Sequence, residues 1–231
     1  MSAQKITRKE LLKSEDEFLT FSGRAVVFVR DHTKQFQYLG IAICLLLLLY
    51  LGIHTYIKHV EEKGQMAFND AYYAMAEMSR GSQDPAKMKR LEELFRKVTD
   101  DYGLAKVSRL AYPELALLKF QEKKYDEAIS LYGQFLKEVS QPGPYASLTL
   151  LGLAGCHEEK KEFGKAAELL NKVLADPQDP FREQATFQLA RVYRLNQQHE
   201  LARETLKEFT AKYTNSPFLP MAKAYLKEYA P

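Results

Sequence analysis

The pattern of apolar and polar positions changes at residue 57. From Gln35 to Ile57 the chain has 23 residues without Asp, Glu, Lys or Arg, and no later stretch resembles this run. An α-helix rises about 1.5 Å per residue, so the run spans roughly 34 Å, enough for a bilayer core of about 30 Å. The pattern predicts one transmembrane helix at 35–57, followed by a separate helical part.

The apolar run has the features of a permanent anchor. A cleaved signal peptide has an apolar core of roughly 7–15 residues and small residues at the cleavage site. Here the run is longer, and bulky Tyr56 and Ile57 stand near its end. Cys44 follows Ile43 rather than the small residue of a lipoprotein signal. We therefore predict an uncleaved signal-anchor helix.

The charges beside the run predict its direction. Arg24, Arg30 and Lys34 precede it, whereas Lys58 and Lys63 follow it. Lysine and arginine near a membrane helix favour the cytoplasmic side. We expect a cytoplasmic N-terminus and a C-terminal domain on the other side of the membrane.

Residues 1–34 also carry a helical pattern. Leu11, Phe18, Ala25, Val26 and Val29 recur at spacings near 3.6 residues among charged positions. The pattern predicts an amphipathic N-terminal arm. Two interpretations remain open at this point, a helix that docks at the membrane interface and a lead-in that only positions the anchor.

The chain after residue 108 repeats itself around three alanines, Ala128, Ala166 and Ala202, which are 38 and 36 residues apart. Each has a second alanine twelve residues earlier, a ring three residues earlier and a large side chain four residues later. These positions are Ala116, Ala154 and Ala190; Tyr125, Phe163 and His199; and Tyr132, Leu170 and Leu206. Proline-containing breaks follow each unit. This register predicts helix–turn–helix units in which the alanines allow close helix packing.

The segment Lys124-Tyr125-Asp126-Glu127-Ala128-Ile129 resembles the tetratricopeptide repeat family, and the resemblance extends over residues 109–217. The chain departs from the family pattern because Tyr112 replaces the usual Trp and no Gly stands beside the first alanine. The resemblance implies an all-α superhelix. A compact helical bundle is the alternative, but it does not account for the alanine register.

The predicted fold class is all-α, with a single N-terminal transmembrane helix, a tetratricopeptide-like α-solenoid of about three and a half repeats and a C-terminal capping helix at 218–229. The predicted divisions are an amphipathic arm at 1–34, the signal-anchor helix at 35–57, a diverged helical hairpin at 58–107, and the repeats with their cap at 108–231.

No catalytic motif was found, so we expect a protein that is not an enzyme and that has no cofactor. Cys156-His157-Glu158-Glu159 is the densest cluster of metal-ligating residue types. Neighbours on a helix point about 100° apart and cannot converge on one ion. We expect no metal site there, with Cys156 part-buried and the other three residues solvated.

The balance of charges argues against nucleic acid as a partner. The net charge is +3, and after residue 57 the chain has 26 basic and 25 acidic residues, which are interspersed. Nucleic-acid binding requires a concentrated basic footprint. We expect proteins or peptides as partners, besides a lipid bilayer at 35–57.

The first helix of each unit lines the concave face of such arrays. Applying the family's groove-facing offsets predicts a partner-binding set of Leu117, Phe120 and Gln121 in the first unit, Leu151, Glu158 and Glu159 in the second, and Phe187, Arg191 and Arg194 in the third. A carboxylate clamp is not expected, because its positions hold Leu110, Pro113 and Leu117.

The layout as a whole resembles the ancillary SecYEG translocon subunit (YfgM-like) family from about Asp16 onward. This resemblance implies a scaffold at the bacterial inner membrane, with a periplasmic repeat domain that associates with the protein-export channel and envelope chaperones. The segment from Phe209 to Pro217 also resembles repeats of outer-membrane-assembly lipoproteins and cell-division coordinators, which gives an alternative role.

Overall fold

The computed structural model describes residues 23–24, 26–78, 84–139 and 143–229, and these residues form helices and no strand. The chain divides into two units, Met1–Lys58 and His59–Pro231. Leu11, Phe18 and Ala25 of the predicted arm helix, like Pro142 in the first predicted break, lie outside the described residues.

The first unit contains the apolar run. Residues 26–31 are helical, and helix α1 begins at Thr33 and ends at Met78. The large apolar side chains of the run are exposed, for example Tyr38 at 71 % and Leu48 at 66 %. Among the described residues, Thr33–Glu77 is the one helical stretch that has the length and apolar composition needed to cross a membrane.

The second unit continues with pairs of helices joined by short turns. After α1 come α2 (Pro85–Asp101), α3 (Ser108–Gln121), α4 (Tyr125–Glu138), α5 (Pro144–Glu159), α6 (Phe163–Leu174), α7 (Arg182–Leu195), α8 (His199–Lys212) and α9 (Leu219–Lys227). The pairs α3–α4, α5–α6 and α7–α8 are the three predicted repeats. The predicted hairpin and capping helix correspond to the end of α1 with α2, and to α9.

The alanine register is confirmed by burial. Ala116, Ala154 and Ala190 are at most 1 % exposed, and Ala128, Ala166 and Ala202 are fully buried. Ala128 packs in one cluster with Leu153 and Cys156 of the next unit. The main contacts join helices that follow one another from α2 to α9, and α3 also contacts α5. This stack of neighbours is a solenoid rather than a compact bundle.

The turns inside the three repeats share one backbone conformation. Lys123, Lys161 and Gln197 have φ of 60°, 60° and 59°, which places each in the left-handed region. The amide after each of them donates to a carbonyl five residues earlier, as in Lys124 N to Lys119 O at 2.9 Å. This is the hydrogen bond of a Schellman motif, where Gly is the usual residue. Because Lys and Gln stand there instead, the sequence does not reveal the motif.

A buried ion pair ties the first repeat to the preceding helix. The side chain of Lys119 on α3 is 4 % exposed, and its ammonium lies 2.7 Å from Glu92 on α2 and 3.1 Å from Glu122. Burial raises the pKa of Glu92, but hydrogen bonds from Lys119 and Arg96 outweigh it and hold that pKa below its usual value. An isolated charge at this depth would be costly, so the two carboxylates are what allows Lys119 to be buried.

The Cys156 cluster differs from the prediction. Cys156 is fully buried between α4 and α5 rather than part-buried, and burial raises the pKa of its thiol to about 11. His157 is partly buried and lies 2.6 Å from a Glu162 carboxylate oxygen, and Glu158 pairs with Arg191. The prediction that the residues after Cys156 are solvated is therefore wrong for His157 and Glu158, because each side chain contacts a residue outside α5. Cys156 is the packing residue between the helices.

Gly152 on α5 sits where a larger residue does not fit. A Cβ built there would lie 2.5 Å from the Tyr132 hydroxyl and 2.6 Å from Cζ of the same ring. Tyr132 is 5 % exposed and is held among Ala116, Ala128 and Leu153, so its ring has little room to move. Gly152 therefore fixes the distance between α4 and α5.

We predict that Gly152→Ala lowers the free energy of unfolding of the repeat domain by about 1–3 kcal/mol, the range for overpacking of a filled core. Gly133→Ala is the matched control, since Gly133 is also inside a helix and no atom lies within 4 Å of its Cβ position. Gly133→Ala should raise the free energy of unfolding by about 0.5–1 kcal/mol, because glycine is unfavourable inside a helix relative to alanine. Urea unfolding of the full chain in mild detergent, followed by circular dichroism, measures both. A Gly152→Ala protein as stable as the unmodified chain would contradict the packing account.

Candidate functional site

A groove runs across the first helices of the three repeats. It encloses a cavity of about 380 Å³. Most of the lining comes from α3, α5 and α7, and one residue comes from α4. The lining residues are Pro113, Glu114, Leu117, Phe120, Tyr132, Leu148, Thr149, Leu151, Gly152, Gly155, Gln184, Gln188 and Arg191.

The lining follows the alanine register. In each repeat, the residue two before the first alanine and the residue one after it face the groove. These pairs are Glu114 and Leu117 around Ala116, Gly152 and Gly155 around Ala154, and Gln188 and Arg191 around Ala190. Residues three apart lie on one face of a helix, so a single face of each first helix is presented.

The middle helix gives the groove its depth. Both of its register positions are glycines, whereas the flanking helices carry longer side chains there. A Cβ at Gly155 would make ordinary contact with the Phe120 ring, at 3.7 Å. Gly155 is therefore not required by packing, and its missing side chain leaves open volume between α3 and α7.

The groove is apolar on one side and polar on the other. Leu117 and Leu148 are exposed in it, and Phe120 contributes a ring that also packs edge-on against Tyr125 at 5.5 Å. Gln184 and Gln188 lie one helical turn apart on α7. This combination suits a polypeptide segment, because the apolar wall takes side chains and amide groups can bond a peptide backbone.

Two charged residues line the groove, Glu114 and Arg191, and they differ in their surroundings. Arg191 Nη2 donates to Glu158 at 2.9 Å, across α7 and α5. Glu114 has no hydrogen bond or ion pair with a residue that the structure describes, and burial raises the pKa of its carboxyl group above the usual value. The groove therefore contains one carboxylate that lacks a cationic partner.

The structure places the predicted partner-binding residues in different surroundings. Leu117, Phe120, Leu151 and Arg191 line the cavity, although Leu151 is only 3 % exposed. Gln121 is exposed at the end of α3. Phe187 is 3 % exposed, and its ring stacks on Phe218 at 5.0 Å and lies 5.6 Å from Phe209. Phe187 thus belongs to the core between the third repeat and the cap.

The charged members of that set link successive elements. Glu159 accepts a hydrogen bond from the Tyr125 hydroxyl at 3.2 Å, and Glu158 pairs with Arg191. Arg194 pairs with Glu228 at 3.2 Å, and its guanidinium lies 4.0 Å from the Tyr225 ring centre. The contacts of Glu159 and Glu158 join neighbouring repeats, and those of Arg194 join the third repeat to the capping segment, so these side chains already have partners within the protein.

The predicted set lacks the other lining residues, which are Pro113, Glu114, Tyr132, Leu148, Thr149, Gly152, Gly155, Gln184 and Gln188. A consistent offset from the three first alanines would have found Glu114, Gly152, Gly155 and Gln188. In the second and third repeats the predicted set includes the residue three before the alanine, and these residues, Leu151 and Phe187, are buried. Gly152 and Gly155 carry no side chain, so no chemical signal marks them.

Known protein families support the repeat assignment. The sequence matches the tetratricopeptide repeat family over residues 119–188, and matches it again over residues 184–216. The comparison with curated proteins gives no match.

Solved structures of repeat proteins have the same fold. A tetratricopeptide repeat protein from Parabacteroides merdae superposes with a TM-score of 0.58 at 15 % identity, covering 72 % of this chain and 60 % of that one. This chain thus spans less than two thirds of that relative. A chain of the APC/C hetero-tetramer Cut9-Hcn1 superposes with a TM-score of 0.55 at 20 % identity, covering 70 % of this chain and 29 % of that one.

A kinesin light chain-like protein of Podospora anserina with nearly identical repeats gives a TM-score of 0.54 at 18 % identity, over 74 % of this chain and 85 % of that one. At such identities the likeness establishes the fold alone. Together with the two sequence matches, it supports the assignment of residues 119–216 to tetratricopeptide repeats.

Proposed function

We propose that this protein is a membrane-anchored scaffold whose groove binds segments of partner polypeptides. We place it at the bacterial inner membrane, with the repeats in the periplasm, where it associates with the protein-export channel and envelope folding factors. The divisions at 1–34, 35–57, 58–107 and 108–231 are part of this proposal, as arm, anchor, hairpin and repeat domain.

The groove is the observation that carries the binding role. Its lining comes from one face of α3, α5 and α7, so an elongated occupant would contact three repeats at once. Its volume of about 380 Å³ is within the range of roughly 300–1,000 Å³ usual for binding pockets. A cavity of this size holds a few side chains, which favours a peptide segment over the face of a folded domain.

The long apolar helix supports the membrane anchor. Its apolar side chains are exposed along the run at 35–57, and a protein rarely leaves so much apolar surface in water. The excess of basic residues before the run supports a cytoplasmic N-terminus. The association with the export channel rests on the resemblance of the whole layout to the ancillary translocon subunits.

Photo-crosslinking in native membranes tests the binding role. We predict that a photoreactive residue at Leu148, which lines the groove and is 46 % exposed, yields adducts with export-channel subunits or envelope folding factors. Leu201 on α8 is the matched control, since it is 43 % exposed and is not part of the groove. It should yield no such adducts.

Equal adducts from both positions would contradict a groove-specific role. Adducts from Leu148 with division or outer-membrane-assembly proteins, without export components, would favour the alternative scaffold.

The orientation is tested by reporters fused after Pro231. We predict that alkaline phosphatase is active there and that a cytoplasm-dependent fluorescent protein is dark, because the basic side of the anchor stays inside. The opposite pair of results would reverse the topology and remove the periplasmic part of the proposal.

Glu114 provides an independent sign of a binding role. Because burial raises the pKa of its carboxyl group above that of the unfolded chain, the charged form destabilises the folded state at neutral pH. The Tyr132 hydroxyl interacts with it electrostatically, Arg191 lies on the opposite wall and is paired with Glu158, and none of these groups donates to it among the described residues. Groups kept at such a cost are typical of binding sites.

We predict that Glu114→Gln raises the thermal unfolding midpoint of the full chain at pH 7. The pKa of Glu114 is near 4.5 in the unfolded chain and higher in the folded protein, so the folded state is favoured when the carboxyl group is protonated. This contribution is complete below pH 4.5 and is lost as the pH rises through the folded pKa. The higher unfolding midpoint of the Gln variant should therefore approach that of the unmodified protein below pH 4.5. Glu204→Gln, at an exposed position of α8, should leave the midpoint nearly unchanged at both pH values. A lower midpoint for Glu114→Gln at pH 7 would contradict this account.

A further inference from the structure

Glu114 is the feature of the groove that the repeat fold does not use. The other charged residue in the lining, Arg191, is paired with Glu158 at 2.9 Å. Glu114 faces the cavity and has no hydrogen-bond or ion-pair partner in the described part of the chain. Desolvating a carboxylate without compensation is unfavourable, and an incoming cation removes that cost.

We propose that the groove binds an apolar polypeptide segment that carries one lysine or arginine, whose cationic group pairs with Glu114. This inference rests on the proposed function, because it identifies what the peptide-binding groove recognises.

The surroundings of Glu114 fit such a side chain. Leu117 follows it by three residues on the same face of α3, and Phe120 lies a further three residues along. Long basic side chains lay their methylene stems on apolar surface while the charged end reaches a polar partner. Leu117 and Phe120 provide that apolar surface, and Glu114 provides the acceptor.

The opposite wall fits the backbone of the same segment. Gln184 and Gln188 on α7 each offer an amide donor and an acceptor. Gly155 on α5, whose Cβ position has no neighbouring atom closer than 3.7 Å, lets the segment approach closely between the walls. An acidic segment would instead place its carboxylate against Glu114, and like charges at this distance repel.

Selection of peptides on the full chain tests the inference. The full-length protein in detergent is immobilised and probed with a random peptide library displayed as an internal loop, which removes free amino termini. We expect the enriched sequences to contain Lys or Arg next to apolar residues. The strongest one is then synthesised with acetylated and amidated ends, and its affinity is measured by fluorescence polarisation.

Two changes should reduce the affinity of the protein for this peptide by the same factor. Glu114→Gln in the protein, and replacement of the basic residue by Met in the peptide, should each reduce affinity at least tenfold. Combining both should add little, because each removes the same pair. Glu114→Gln is expected to leave the fold intact, and circular dichroism of the variant checks that directly.

The variant Gly155→Trp distinguishes the proposed contact with Glu114 from the more general proposal that the groove binds peptides. The indole would fill the groove, whereas Gly164→Trp on α6 is its control at an exposed site with nothing within 4 Å. We expect binding to be lost in the first variant and kept in the second.

Loss of binding in Gly155→Trp, with no effect of Glu114→Gln, would overturn the cationic contact and leave the groove function standing. Binding that survives Gly155→Trp, or a selection that enriches nothing, would overturn both. Enrichment of sequences without basic residues would also overturn the inference.

Discussion

The close approach of helices at paired alanines is the constraint on which the rest of the structure depends. The six alanines of the register, Ala116, Ala154, Ala190, Ala128, Ala166 and Ala202, are at most 1 % exposed, and Ala128 packs with Leu153 and Cys156 of the next repeat. A larger side chain at these positions would separate the helices and open the clusters around them. Because each repeat alone exposes an apolar face, stability comes from stacking, and stacking fixes the angle at which the next first helix is presented.

The groove is a consequence of that stacking. Residues on both sides of each first alanine face outward together, so the register that closes the core also aligns Glu114, Gly155 and Arg191 along one surface. The repeats differ in what they place there. Gly155 in the middle repeat creates depth, Glu114, which has no partner among the described residues, lies on one wall, and Arg191, which is paired with Glu158, lies on the other. The specificity that we propose for the groove thus comes from the differences between repeats that share one backbone.

The sequence could predict the helices, the repeat register and the candidate span, because these depend on periodic apolar positions and on run length. It could not predict the left-handed turn residues Lys123, Lys161 and Gln197, where no glycine marks the conformation. It also placed Phe187 on the partner-binding surface, although the ring packs against the cap through Phe218. Burial of this kind depends on which face of a helix packs against the next helix. The sequence of the helix itself does not determine that packing.

The central claim is that partners occupy the surface formed by the first helices. Hydrogen–deuterium exchange of the full chain in detergent, with and without a saturating groove peptide from the selection, tests it most directly. The account predicts slower exchange in α3, α5 and α7, with α4, α6 and α8 largely unchanged. Slower exchange confined to the second helices, with the first helices unaffected, would contradict it.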